Sequence, residues 1–141
     1  MQYCGTEELL ALHIEDGENL HGCIVTACQG SNVDSAVVIS GLGMVSSVTF
    51  GWFTGKEYLK KNYDGTMELI SLTGDISFRR DGMYPHLHGV FSSPDHQVIG
   101  GHIMEAIAMR NIELFLKPIY SQHFNRRDIN AFEALIPERR S

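Results

Sequence analysis

The segment from Pro85 to His102 constrains this chain more than any other. It reads PHLHGVF, then Ser92-Ser93-Pro94-Asp95, then an apolar run closing on QVIGGH. Two apolar stretches around a Ser/Pro/Asp turn are the signature of a β-ribbon folded back on itself. His86 and His88 are two residues apart, so in a strand both leave the same face. If the ribbon folds symmetrically about Pro94, His86 lies opposite His102, with Cβ atoms about 4.5–5.5 Å apart. Three imidazoles then share one patch, a donor set suited to a divalent transition ion. The reading depends on register, because a slip of one residue would send His102 to the other face. Two histidines at this spacing are also what an ordinary strand can carry. Gly100 and Gly101 favour the site, since glycine in a strand marks close approach by a backbone or a ligand. His96 falls in the turn and is left out of the ligand set.

The rest of the sequence is that of an ordinary globular protein. Its 141 residues, 43% apolar and 20% charged, suffice for one domain with a real core. No apolar run approaches the roughly 20 residues that span a bilayer. The start, MQYCGTEELL, lacks the basic and apolar regions of a signal peptide, so no membrane partner and a cytoplasmic location are expected. Cys4, Cys23 and Cys28 are odd in number and form no CxxC pair, which favours free thiols. The net charge of −6 disfavours DNA as a partner, because phosphate contacts need clustered Lys and Arg. Arg79-Arg80, Arg126-Arg127 and Arg139-Arg140 are small clusters, read as solvated.

Along the chain, residues 7–14 read as a strand. A helix follows over about 18–29, capped by Asp16 with Glu18 in its first turn. Leu20, Cys23, Ile24, Ala27 and Cys28 recur at helical spacing, and Gly30-Ser31-Asn32 stops the run. Strands are expected at 36–40, 45–53 and 58–63, over 66–80 with a break at Gly74-Asp75, through the histidine ribbon at 84–104, and at 111–118. Gly41-Leu42-Gly43 signals a bend or bulge; the spacing does not fit a dinucleotide fingerprint, and a strand follows it. Residues 128–136, with Ile129, Phe132, Leu135 and Ile136, read as a short closing helix. Trp52 and Phe53 are assigned to the core or a subunit contact, and Leu69, Ile70 and Leu72 to packing. His13 and His21 are read as surface or cap residues. His123 with Arg126 and Arg127 reads as a solvated turn, with a pocket anion as the alternative. The sum is an α+β fold, a mainly antiparallel sheet of about seven or eight strands on one main helix.

Several segments in this order carry a resemblance: GLGMVSSVTFGWF, MELISLTGDIS, PHLHGVF and VIGGHI, with NRRDINAFEALIP near the end. Together they resemble the PPC (plants and prokaryotes conserved) domain, over about Glu8 to Ile136, and 1–141 is taken as a single PPC-like domain. The resemblance implies a sheet packed against helix 18–29 and a homotrimer. It also implies the prokaryotic single-domain members, which look like metal-binding proteins, zinc being the usual ion, through positions matching His86, His88 and His102. Plant members join the domain to AT-hooks, short basic segments that this chain does not contain. Prokaryotic relatives carry a DNA-binding label by that analogy, a thin warrant for function.

Three readings follow. The first is a metal-binding trimer, in which three neutral imidazoles leave one zinc position open for hydrolytic or lyase chemistry. Glu68 and Glu105 are the carboxylates considered as acid or base there, beside the plainer readings of a charge paired at a subunit contact and a solvated strand residue. The second is a DNA-binding or transcription-related module. The third is an oligomer in which a metal only staples loops. No substrate and no catalytic residue can be read from the sequence.

Overall fold

A computed structural model describes residues 1–141. Eight strands and one helix follow in the order β1 (Gln2–Gly5), β2 (Leu10–Glu15), α1 (Leu20–Gly30), β3 (Ala36–Phe53), β4 (Tyr58–Arg79), β5 (Gly82–Ser92), β6 (Val98–Pro118), β7 (Gln122–Ile129) and β8 (Phe132–Arg139). All the strands join one sheet, ordered β1-β2-β6-β3-β4-β7-β8, with β5 pairing to both β4 and β6. The ladders are antiparallel except at one parallel bridge, Phe78 to Asn125, which joins β4 to β7. The expected α+β architecture is therefore present.

β3 pairs with β4 and β6, and β5 pairs with the same two strands, so these four close into a circuit. Closure satisfies both edges of each strand where they pair. Side chains alternate along the strands as a half-buried sheet requires: Leu10, Leu12 and Ile14 of β2, and Ile112, Leu114 and Leu116 of β6, all point inward. They join Val48, Phe50, Leu69, Leu72, Leu87, Phe91 and Ile103 of the circuit in one core. The Phe50 ring meets Phe91 edge-on at 5.6 Å and Tyr63 at 5.8 Å, geometry that suits the ring quadrupoles.

α1 buries Leu20, Cys23, Ile24, Ala27 and Cys28, the stripe expected from spacing. Its cap is Asn19, whose Oδ1 accepts from the Gly22 N–H at 3.0 Å. Asp16 does not cap; its carboxylate accepts from the Arg110 N–H at 2.6 Å, tying the β2–α1 turn to β6. Glu18 lies just before the cap and pairs with the N-terminal amine at 2.8 Å. The cysteines are free, with Cys4 exposed and Cys23 and Cys28 buried.

Other sequence-based expectations are corrected. Residues 128–136 are not a helix: β7 and β8 form a hairpin around Asn130-Ala131, both at positive φ (50° and 71°). Two such residues between paired strands make a primed turn, which matches the twist of the strands. The apolar spacing at Ile129, Phe132, Leu135 and Ile136 imitates a helix, but Ile129 and Phe132 stay exposed, so no buried stripe exists to support one. The short strands at 36–40 and 45–53 fuse into β3 through bulges at Val38–Ser40, Gly43–Val45 and Val45–Ser47. Those at 58–63 and 66–80 likewise fuse into β4. Trp52 is 74% exposed and is no core residue, and Ile70 also faces outward.

The expected break at Gly74-Asp75 lies inside β4. Gly74 has φ of +151°, and a Cβ there would stand 1.9 Å from the His86 carbonyl oxygen. Gly74→Ala therefore meets both backbone strain and a collision that only strand separation can relieve. It is expected to lower stability by about 3 kcal/mol, read as a shift in the urea midpoint.

Candidate metal centre

The β5–β6 ladder sets Leu87 opposite Ile103 and His88 opposite His102. Leu87 and Ile103 are buried, so the alternation turns His86, His88 and His102 to the outer face together. The expected pairing of His86 with His102 is displaced by two residues, a shift that keeps the face. The cause lies in the turn, which is closed by Ser93 and Gln97 through their backbones at 2.9 Å, with His96 at its tip (φ 62°). His96 is remote from the cluster, as expected. Gly100 makes the close backbone approach: a Cβ there would sit 2.7 Å from the Gly89 carbonyl oxygen.

The three rings stand 5.0 Å (His86–His88), 5.2 Å (His86–His102) and 5.3 Å (His88–His102) apart. One ring nitrogen from each lies within 4.8 Å of the others. An ion held at about 2.0–2.1 Å by tetrahedral nitrogens needs them about 3.4 Å apart, so modest side-chain rotation closes the set. The ligating form is favoured too. Burial, then the neighbouring His86, lowers the His88 pKa, and burial followed by His86 and His88 takes His102 down to about 4. Both rings keep their lone pairs at neutral pH, which an ion requires. The donor set therefore fits a divalent transition metal.

Asp75 of β4 is the register partner of His86. Its Oδ2 lies 3.6 Å from His86 Nδ1. Arg126, from β7, donates through Nη2 to Asp75 Oδ1 at 2.7 Å and Oδ2 at 2.9 Å, and through Nε to Ser77 Oγ at 3.0 Å. The same Nη2 is 3.1 Å from His86 Nδ1. Burial alone would raise the Asp75 carboxyl; hydrogen bonds and charge from His86 and Arg126 outweigh it and hold the group below its ordinary value. Tyr84 stacks on the His86 ring at 5.9 Å and 13°.

The cluster opens into a cavity of about 510 Å³ walled by Phe50, Trp52, Phe53, Tyr58 and Tyr63. Tyr58 stacks on His102 at 5.2 Å, over Gly51, where a Cβ would come within 2.9 Å of the Tyr58 ring. Neither Glu68 nor Glu105 lines this cavity. Glu105 accepts from Asn19 Nδ2 at 3.2 Å, and Glu68 pairs across from Met44 and Ser92. The acid beside the histidines is Asp75, which in the sequence marks only a break in the strand over 66–80. His123, Arg126 and Arg127 go separate ways, to Asp34, Asp75 and Glu138. His21 stands half-buried in the first turn of α1, next to the cap, with its Nδ1 buried and without a partner.

The model for the Plants and Prokaryotes Conserved (PCC) domain matches residues 1–119. The chain belongs to that family. No curated protein matches it. Among solved structures, the PCC chain resembles a protein from Bacteroides thetaiotaomicron with a provisional DNA-binding designation (TM-score 0.86, 23% identity, 97% of this chain and 96% of that one). It also resembles a plant- and prokaryote-conserved protein from Pyrococcus horikoshii (TM-score 0.85, 24% identity, 96% and 94%) and a metal-containing protein from Archaeoglobus fulgidus (0.82, 24%, 92% and 91%). At these identities the likeness is one of fold.

Burial also takes the His21 pKa down to about 4. In the unfolded chain the same ring titrates near its ordinary value of about 6.5. Between the two values the unfolded state binds the extra proton, so this contribution to stability is present at pH 7 and is lost as pH falls from about 6.5 towards 4. Wild type should lose about 2 kcal/mol more than His21→Gln between pH 7 and 4.5, measured by urea unfolding of metal-free protein.

Proposed function

We propose that this PCC-domain protein binds one divalent transition ion per chain, zinc foremost, through His86, His88 and His102. The observation that carries the reading is the convergence of three ring nitrogens within 4.8 Å on one rigid ribbon. The Archaeoglobus fulgidus relative, described as metal-containing, agrees with it. When bound through three neutral imidazoles, such an ion offers an open position that acidifies water or polarises a carbonyl. The chain's own part is to exclude bulk water with Trp52, Phe53 and Tyr58 and to hold His86 with Asp75.

The DNA reading stands second. It draws on designations given to fold neighbours. Against it, arginines at the β4–β7 end are already matched by carboxylates: Arg79 to Asp81 at 2.9 Å, Arg126 to Asp75 at 2.7 Å, and Arg127 to Glu138. Little positive charge is left for phosphates.

The assembly we propose is a homotrimer. Its support in this chain is Leu42 of β3, Ile70 of β4 and Val90 of β5, which come from neighbouring strands and are 46, 52 and 39% exposed. Adjacent exposed apolar side chains on one sheet face mark a contact surface. Ile70→Glu is expected to convert a particle of three 15.8 kDa chains into single chains, as read by light scattering behind a sizing column.

Metal analysis of untagged protein tests the main reading. Wild type should carry about one equivalent per chain after exposure to Zn²⁺, while His88→Ala and His102→Ala lose at least about 100-fold in affinity by chelator competition, because two nitrogens cannot complete the set. Equal metal content in all three proteins would remove the histidine cluster as the site.

A further inference from the structure

We infer that Arg126 and Asp75 together position His86 for the ion, so that the C-terminal hairpin controls a metal site to which it supplies no ligand. This rests on the three-histidine reading above and extends it to residues outside the ligand set. Arg126 lies beyond residue 119, where the family match ends. It is nonetheless 6% exposed, unusual for an arginine with no ligand to bind. Its Nε donates to Ser77 Oγ, its Nη2 faces Asp75 and His86 Nδ1, and its Nη1 reaches the Glu133 carbonyl oxygen on its own hairpin at 3.4 Å. A buried guanidinium held by a bidentate carboxylate and a hydroxyl is a fixed strut, not a surface charge.

The chemistry of the His86 ring gives that strut a purpose. Nδ1 faces Asp75 and Arg126, so Nε2 is the nitrogen left for an ion. A neutral imidazole carries one proton, and its two nitrogens take opposite roles. With Nδ1 accepting from Arg126, the proton sits on Nε2 and the ring cannot ligate. With the proton on Nδ1, Nε2 is free, and only Asp75 can accept that proton, since a guanidinium has no acceptor. Asp75 Oδ2 at 3.6 Å is within a small ring rotation of doing so. Arg126, bonded to both Asp75 oxygens, keeps the carboxylate aimed at His86; Asp75 selects the ligating tautomer. Carboxylate partners of metal-bound histidines do the same elsewhere, and losing one costs about 10–100-fold in metal affinity.

The hairpin delivers Arg126 through further fixed points. The Phe124 N–H donates to Ser35 Oγ at 3.0 Å, and Arg140 pairs with Asp34. The polar seam between the hairpin and the rest of the sheet therefore ends at the histidine cluster.

The test uses the full chain, with Zn²⁺ affinity from chelator competition, the visible spectrum of the Co²⁺-loaded protein, and thermal midpoints of the metal-free form. Arg126→Ala and the isosteric Asp75→Asn should each weaken Zn²⁺ binding about 10–100-fold and shift the Co²⁺ bands, while Arg126→Lys recovers part of the affinity. Asp75→Asn keeps the test open if Arg126→Ala does not fold. Wild-type affinity and an unchanged Co²⁺ spectrum in Asp75→Asn, with His88→Ala losing the ion, would overturn the positioning role and leave the metal site standing. Wild-type affinity in His88→Ala would bring down the site and this inference together.

Discussion

The pairing of β5 with β6 is the constraint on which the rest of the molecule depends. One ladder sets Leu87 against Ile103 in the core and His88 against His102 outside it. Because strand side chains alternate strictly, the apolar requirement of the inner face dictates where the imidazoles of the outer face stand. A register slip of one would expose Leu87 and bury His88 unpaired, costing apolar burial and desolvation at once. The core thus enforces the site: the histidines need no affinity for one another to be gathered.

Around that ribbon two kinds of wall meet. On one side, Phe50, Trp52, Tyr58 and Tyr63 make a largely apolar surface. On the other, Asp75, Ser77 and Arg126 make a buried polar network whose members satisfy one another. Breaking such a network leaves an uncompensated charge, which is why it is rigid. His86 stands between the two walls, with Tyr84 stacked on its face, and is held more tightly than its neighbours. The arrangement suits an ion that must be reached by a small molecule from the apolar side while one ligand is fixed from the polar side.

Much of this could be read from the residues. The HxH and GGH segments, the turn between them and the parity of the strand were enough to bring His86, His88 and His102 together. The stripe from Leu20 to Cys28 was enough for the helix. What escaped was whatever depends on pairings far apart in sequence. Asp75 borders His86 only because β4 crosses β5 there, and the glycine before it looked like a break; in fact it admits the His86 carbonyl. Arg126 reaches the same place from a hairpin whose turn, Asn130-Ala131, carries no glycine to announce it. Trp52 was assigned by its size to the core or a subunit contact; a bulged strand turns it outward, over the cavity, which excludes the core.

The closed circuit of β3, β4, β5 and β6 has a kinetic consequence. His86 and His102 are joined by a short stretch of chain, so their ribbon can form early and locally. Arg126 meets Asp75 across a separation of 51 residues, a closure that costs more chain entropy than that of the ribbon. Early on, the ribbon holds all three imidazoles without the strut that fixes His86. On the proposed metal reading, full affinity would wait until the last segment of the chain docks, and tight capture of an ion would report that folding has finished.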